Sequence, residues 1–320
     1  MRVRSFCRKR SNGFGGITLP ANPAVPAQTA ILLLPFAAAV LFTFSALFLK
    51  RSAELGAGLW RTAFVSNLLN AILFTPLLLL DAPPVRWELV WQPFCIALCL
   101  FGGLIAQFVA FEKGDVSITV PVLGLKVVGV ALLVPFFTED RVDMRGWCAA
   151  LLSVGGIALL NRKHQATAAR NVGITVFAAG LTAAAFAVFD VLVQRWGPVW
   201  GAGRLLPVVY AFNALFSCAL IPKFHAPLSA LPRQTLKWLV PGALLLGGQA
   251  ILFVGTLAVY GKAAVANVIY SSRGLMSLAA VWLAGHWFQN TERDLGARVL
   301  VWRLLGAVLM LSAIILVITR

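Results

Sequence analysis

The sequence predicts an all-α membrane protein: ten transmembrane helices arranged as two inverted five-helix repeats around a central cavity. Three observations carry this reading. First, 60% of the 320 residues are hydrophobic and only 12% are charged, whereas soluble domains carry about 25% charged residues. Second, apolar runs of roughly 17 to 23 residues recur along the chain, each long enough to cross a hydrocarbon layer about 30 Å thick. The runs are continuous rather than alternating. Because lipid cannot satisfy backbone N–H and C=O groups, such runs must close their hydrogen bonds internally as helices. Third, the third and fourth spans of the two halves align at a constant offset of about 147 residues, which sets Trp91 on Trp238, Gly114 on Gly261, Lys126 on Arg273 and Glu139 on His286. A duplicated unit with an odd number of spans must place its two copies in opposite orientations.

Residues 1–28 read as a flexible basic tail, because MRVRSFCRKR is followed by GFGGITLPANPAVPAQ where a signal peptide would need an apolar core. The first repeat, 29–161, holds spans at roughly 29–50, 62–80, 92–111, 116–137 and 146–161. A polar linker at 162–170, within NRKHQATAAR, leads to the second repeat, 171–320. Its spans fall at roughly 171–193, 205–221, 238–258, 263–285 and 299–318. Pro35, Pro76, Pro121, Pro135 and Pro207 lie within spans, which packed membrane helices tolerate. Small residues in FAAGLTAAAFA allow close helix approach.

The formal charge of +16 comes from basic residues scattered in short groups between apolar runs, so no nucleic acid is expected as a partner. Cys95, Cys99, Cys148 and Cys218 sit in apolar segments without paired metal or disulfide spacing. No metal and no cofactor is expected. With the N-terminus inside, Lys and Arg divide almost evenly between the two sides, so loop charge does not decide orientation. The partners expected are a small-molecule substrate and the lipid bilayer, with a homodimer also compatible. The expected location is the inner membrane, multi-pass.

The stretch AFEKGDVSITVPVLGLKVVGVALLVPFFTEDRVDMRGWCAALLSVGGIALL resembles the end of an EamA domain of the drug/metabolite transporter superfamily. A glycine-containing linker leads into an apolar helix with Glu139 near its end, then a polar loop, then a helix opening at Gly146 and carrying Gly155 and Gly156. The second half repeats the order as TLAVYGKAAVANVIYSSRGLMSLAAVWLAGHWF and LLGAVLMLSAIILVI with Gly306, and Arg61 and Arg204 open the second helix of each half. The resemblance implies ten helices, cytoplasmic termini and a cavity lined by the third, fourth, eighth and ninth spans, working by alternating access. Three features depart from the family pattern: His286 in place of an acidic residue, Lys126 and Arg273 where a proline is common, and the insertion QNTERDLGARV.

Lys126 and Arg273 fall near the middle of the fourth and ninth spans, where a cation costs about 2.5–3.5 kcal/mol. Both should face a watery cavity or an anion. One reading is a clamp in which Arg273 forks onto a carboxylate or phosphate while Lys126 adds a point charge. The other is pairing with Asp190 or Glu112 to hold helices together. Tyr270 and Ser277 share a helical face with Arg273, Thr119 lies two turns before Lys126, and Asn267, Gln107 and Gln249 add further polar groups. Each is either a substrate contact or an interhelical hydrogen bond. Asp190 is a candidate for proton coupling.

A transporter of a small organic anion or zwitterionic metabolite is the first functional reading. Alternatives are an exporter of neutral or amino-acid-like metabolites with structural cations, and a non-transporting sensor or scaffold. An enzyme is not expected, because His164, His225 and His286 lie near separate loops.

Overall fold

The computed structural model describes residues 25–80, 83–113, 116–160, 172–277 and 297–319. The tail up to residue 24, the linker at 162–170, Gly114, His164, His286 and the ninth span beyond residue 277 lie outside the described residues. Those described form an all-helical chain without strands. The helices are α1 (Val25–Glu54), α2 (Leu59–Phe74), α3 (Trp91–Lys113), α4 (Val116–Gly124), α5 (Lys126–Phe137) and α6 (Met144–Leu160), then α7 (Val172–Trp200), α8 (Ala202–Ser217), α9 (Arg233–Tyr260), α10 (Ala263–Tyr270) and α11 (Ala297–Ile318).

Eight helical stretches among the described residues are long and apolar enough to cross a membrane, and α6 is a shorter apolar helix of 17 residues. The surface is apolar, with Phe36, Phe177, Leu151, Leu304 and Ile315 exposed, while Thr43, Thr182, Asp190 and Asn267 are buried. That inversion of the soluble pattern suits a hydrocarbon solvent.

Two helical stretches are interrupted within the described residues. α4 and α5 meet at Leu125, whose N–H bonds the Val122 carbonyl three residues back at 3.0 Å. α10 ends at a turn over Ser271 and Ser272, after which residues 273–277 are again helical. Pro121 lies inside α4, four residues before the break at Leu125.

The halves pack through one another. α1 lies along α9 and α3 along α7, α2 pairs with α8 and also touches α9, and α8 touches α3. The last helices of the two halves, α6 and α11, cross at reciprocal glycines: a Cβ on Gly156 would stand 2.9 Å from the Gly306 carbonyl, and one on Gly306 would stand 2.8 Å from the Gly156 carbonyl. Small residues also line the buried face of α7, through Ala179, Ala183 and Ala187. Gly129 of α5 packs there: a Cβ added to it would stand 3.2 Å from Ala187 Cβ.

Candidate functional site

The interrupted helices put both mid-span cations at matching places. Lys126 is the first residue of α5 and Arg273 the first helical residue after the turn at Ser271 and Ser272. Lys126 Nζ lies 2.7 Å from Asp190 Oδ2 of α7, whose side chain is 0% exposed. Asn267 of α10 donates from Nδ2 to the same oxygen, also at 2.7 Å, and to the Ala263 carbonyl at 3.0 Å. Asp190 Oδ1 has no partner among the described residues.

Aromatic rings complete the cluster. Lys126 Nζ stands 5.2 Å from the Phe253 ring centre and 5.9 Å from that of Phe186. Phe253 stacks on Tyr270 at 4.4 Å. The Arg273 guanidinium lies 4.8 Å from the ring centres of both Tyr270 and Phe42, contacts that stabilise a desolvated cation by up to about 2 kcal/mol. Tyr270 donates its hydroxyl to Gln249 Oε1 at 2.8 Å. Arg273 shares the Tyr270 ring with this cluster, yet it forms no salt bridge among the described residues. Among the described residues, two cations thus face one carboxylate.

Six of the residues singled out in the sequence thus meet: Lys126, Asp190, Gln249, Asn267, Tyr270 and Arg273. Thr119 is buried and donates to the Ala110 carbonyl of α3 at 3.2 Å. Ser277 is half-buried on the helical stretch after Arg273. Glu112 is exposed and Lys126 is paired with Asp190, as the alternative reading of that cation had it. The ring faces of Phe42, Phe186 and Phe253 carried no signal in an already aromatic sequence.

One turn beyond Asp190 on α7, Gln194 donates to Asp140 Oδ2 at 2.7 Å and accepts from the Ala263 N–H at 2.8 Å. Asp140 also pairs with Lys262, which precedes α10 with a left-handed φ of 57°. A cleft of about 460 Å³, counting its open mouth, is lined there by residues including Asp140, Arg141, Lys262, Val268 and Val317. It lies beside this outer cluster rather than at Lys126 and Arg273.

The sequence profile described as the EamA-like transporter family matches residues 28–162. Over 82 residues the chain is 31% identical to the probable 4-amino-4-deoxy-L-arabinose-phosphoundecaprenol flippase subunit ArnE of Pseudomonas fluorescens (strain Pf0-1), covering 25% of this chain and 72% of that one. A crystal structure described only as that of a protein superposes with a TM-score of 0.70 at 15% identity, over 90% of this chain and 96% of the other. That likeness concerns the fold alone. From the profile and the curated relative together, the chain belongs to the EamA-like transporter family, within the drug/metabolite transporter superfamily.

Proposed function

We propose that the chain is a secondary transporter of the inner membrane that moves a small organic anion, or the anionic end of a zwitterion, by alternating access. The observation that carries the proposal is Arg273: a mid-span cation held between two rings with no carboxylate partner among the described residues. A permanent cation placed this way is costly in a bilayer unless an anion regularly joins it. Ten helices in two inverted repeats around the site belong to the same proposal. Support comes from the packing, because exchanging the halves turns the α1–α9 contact into α7–α3, and α2–α9 into α8–α3, while α2–α8 and α6–α11 map onto themselves. The backbone repeats as well: Gly58 and Gly201, each three residues before an arginine, have φ, ψ of 74°, 146° and 70°, 143°. Asp190 keeps its candidacy for proton coupling.

The Lys126–Asp190 pair favours a second reading, an exporter of neutral or amino-acid-like metabolites in which the cations only hold helices. A thermal-stability screen of the purified protein separates the two. Its ligands are carboxylates, phosphomonoesters, neutral amino acids and, because the curated relative's name concerns a phosphoundecaprenol, a polyprenyl phosphate. The anion reading expects saturable stabilisation by one anionic class, lost in Arg273→Ala. Stabilisation by neutral solutes, or an anion effect that survives Arg273→Ala, refutes it.

A further inference from the structure

We infer that the point occupied by Asp190 Oδ2 is the oxyanion subsite of the carrier, and that Asp190 is its tethered occupant, displaced when a carboxylate or phosphate oxygen binds to Lys126 and Asn267. The inference rests on the anion reading above.

The geometry starts with convergence. An ammonium and an amide from two separate elements both lie 2.7 Å from a single oxygen. An ionised carboxylate offers about four lone-pair sites over two oxygens. Here one oxygen takes both donors while the other, equally buried, takes none among the described residues. A bridge serving only to join helices gains most when both oxygens are satisfied, because a buried acceptor left alone keeps its desolvation cost. The donors are therefore arranged around a point, and a foreign oxyanion at that point would receive the same two hydrogen bonds.

Charge gives the same answer. Among the described residues, Lys126 and Arg273 against Asp190 leave the cluster at one net positive charge. A bound monoanion brings that sum to zero. A dianion would overshoot. The rings of Phe253 and Phe186 keep Lys126 in place during the exchange. Both cations also begin the second part of an interrupted helix, the kind of discontinuity around which carriers bind ions and substrates.

Chemical rescue tests this without knowing the substrate. Asp190→Ala opens a carboxylate-sized space beside Lys126 and Asn267. At constant ionic strength in chloride, added formate or inorganic phosphate should raise the thermal midpoint of Asp190→Ala saturably, by several degrees. The parent, where Asp190 already fills the point, should need a much higher formate concentration for any effect, and Lys126→Ala/Asp190→Ala should lose the effect. If Asp190→Ala folds only when formate or phosphate is present during purification, the inference is supported as well. It is overturned if Asp190→Ala responds to neither anion. It is equally overturned if Asp190→Ala and Asp190→Asn aggregate in every salt while Lys126→Ala/Asp190→Asn folds, since the pair is then a structural bridge. These outcomes are independent of the organic-anion screen: a parent stabilised through Arg273, with no rescue in Asp190→Ala, removes the role of Asp190 and leaves the anion reading standing.

Discussion

The crossing of α6 and α11 gives a sharp quantitative expectation. A Cβ added at Gly306 would lie 2.8 Å from the Gly156 carbonyl oxygen, 2.9 Å from the Leu160 nitrogen and 3.0 Å from Leu160 Cγ. Two of these three atoms are backbone and cannot swing away. Carbon–oxygen contacts settle at about 3.3–3.6 Å, so the helices must part by roughly 0.5 Å, a gap that forfeits about a quarter of the dispersion well at each affected contact. Overpacking of this kind costs about 1–3 kcal/mol. Against it stands the higher helix propensity of alanine, about 1 kcal/mol over glycine. Sterics should win, and Gly306→Ala should lose up to about 2 kcal/mol net. Gly255 in α9 has nothing within 4 Å of the added carbon, so Gly255→Ala should keep the propensity gain and be neutral or slightly stabilising. Thermal denaturation of the two variants in one detergent, each about 2–4 °C per kcal/mol, measures the difference. If Gly306→Ala melts with or above Gly255→Ala, the two helices are not held at glycine distance and the packing argument is wrong.

Other expectations concern buried polar groups and backbone. Lys126→Met strands the Asp190 carboxylate and should cost about 3–5 kcal/mol, most of it recovered in Lys126→Met/Asp190→Asn, as a double-mutant thermal series would show. Gly58 adopts φ 74°, ψ 146°, and an added Cβ would meet only the Arg61 side chain at 3.6 Å or beyond. Gly58→Ala therefore isolates backbone strain, about 1–3 kcal/mol by thermal denaturation. The Trp200 indole N–H donates to Gln92 Oε1 at 2.9 Å, both side chains being buried, so Gln92→Leu should cost about 1–3 kcal/mol by orphaning it. Asn213, on α8, has neither amide atom partnered among the described residues and is 1% exposed. Asn213→Leu should raise the midpoint, and a fall would place a water or a ligand at the α2–α8 seam.

What the sequence could convey follows from which forces act locally. Spans are legible because lipid penalises every unpaired backbone group, so length and hydropathy determine them nearly alone; the expected spans 92–111 and 238–258 lie inside α3 and α9. The cations at Lys126 and Arg273 are legible for the same reason, since a charge in an apolar run stands out. The helix breaks beside them are less so. Pro121 hints at the first, but Ser271 and Ser272 are ordinary helix residues in a packed bundle, and only tertiary contacts turn them into a turn. Partnership is less legible still. A sixth span closing at 193 puts Asp190 near a helix end, whereas α7 continues to Trp200. Those seven further residues, ending in Trp200 bonded to Gln92, carry Asp190 from the rim to full burial. A water-accessible carboxylate then becomes the counter-charge of Lys126.

That shift bears on mechanism. A carboxylate at the rim could exchange protons with solvent without involving any substrate, whereas a carboxylate at 0% exposure can lose its cation only if another anion, or a proton, takes its place. The polar groups that run outward from it, Asn267 to the Ala263 carbonyl, the Ala263 N–H to Gln194 and Gln194 to Asp140, connect the buried pair with a half-exposed one at Lys262. Gln194→Leu would cut this chain at its narrowest link, leaving the Ala263 N–H and one oxygen of Asp140 without their partner. Because Gln194 touches neither cation of the inner cluster, the expectation is specific: accessibility of a cysteine placed at Ala264, probed by a membrane-impermeant maleimide, should rise as the start of α10 loosens, while anion-dependent stabilisation of the parent kind persists. Unchanged labelling would mean that α10 is held by packing alone and that the outer cluster does not restrain it.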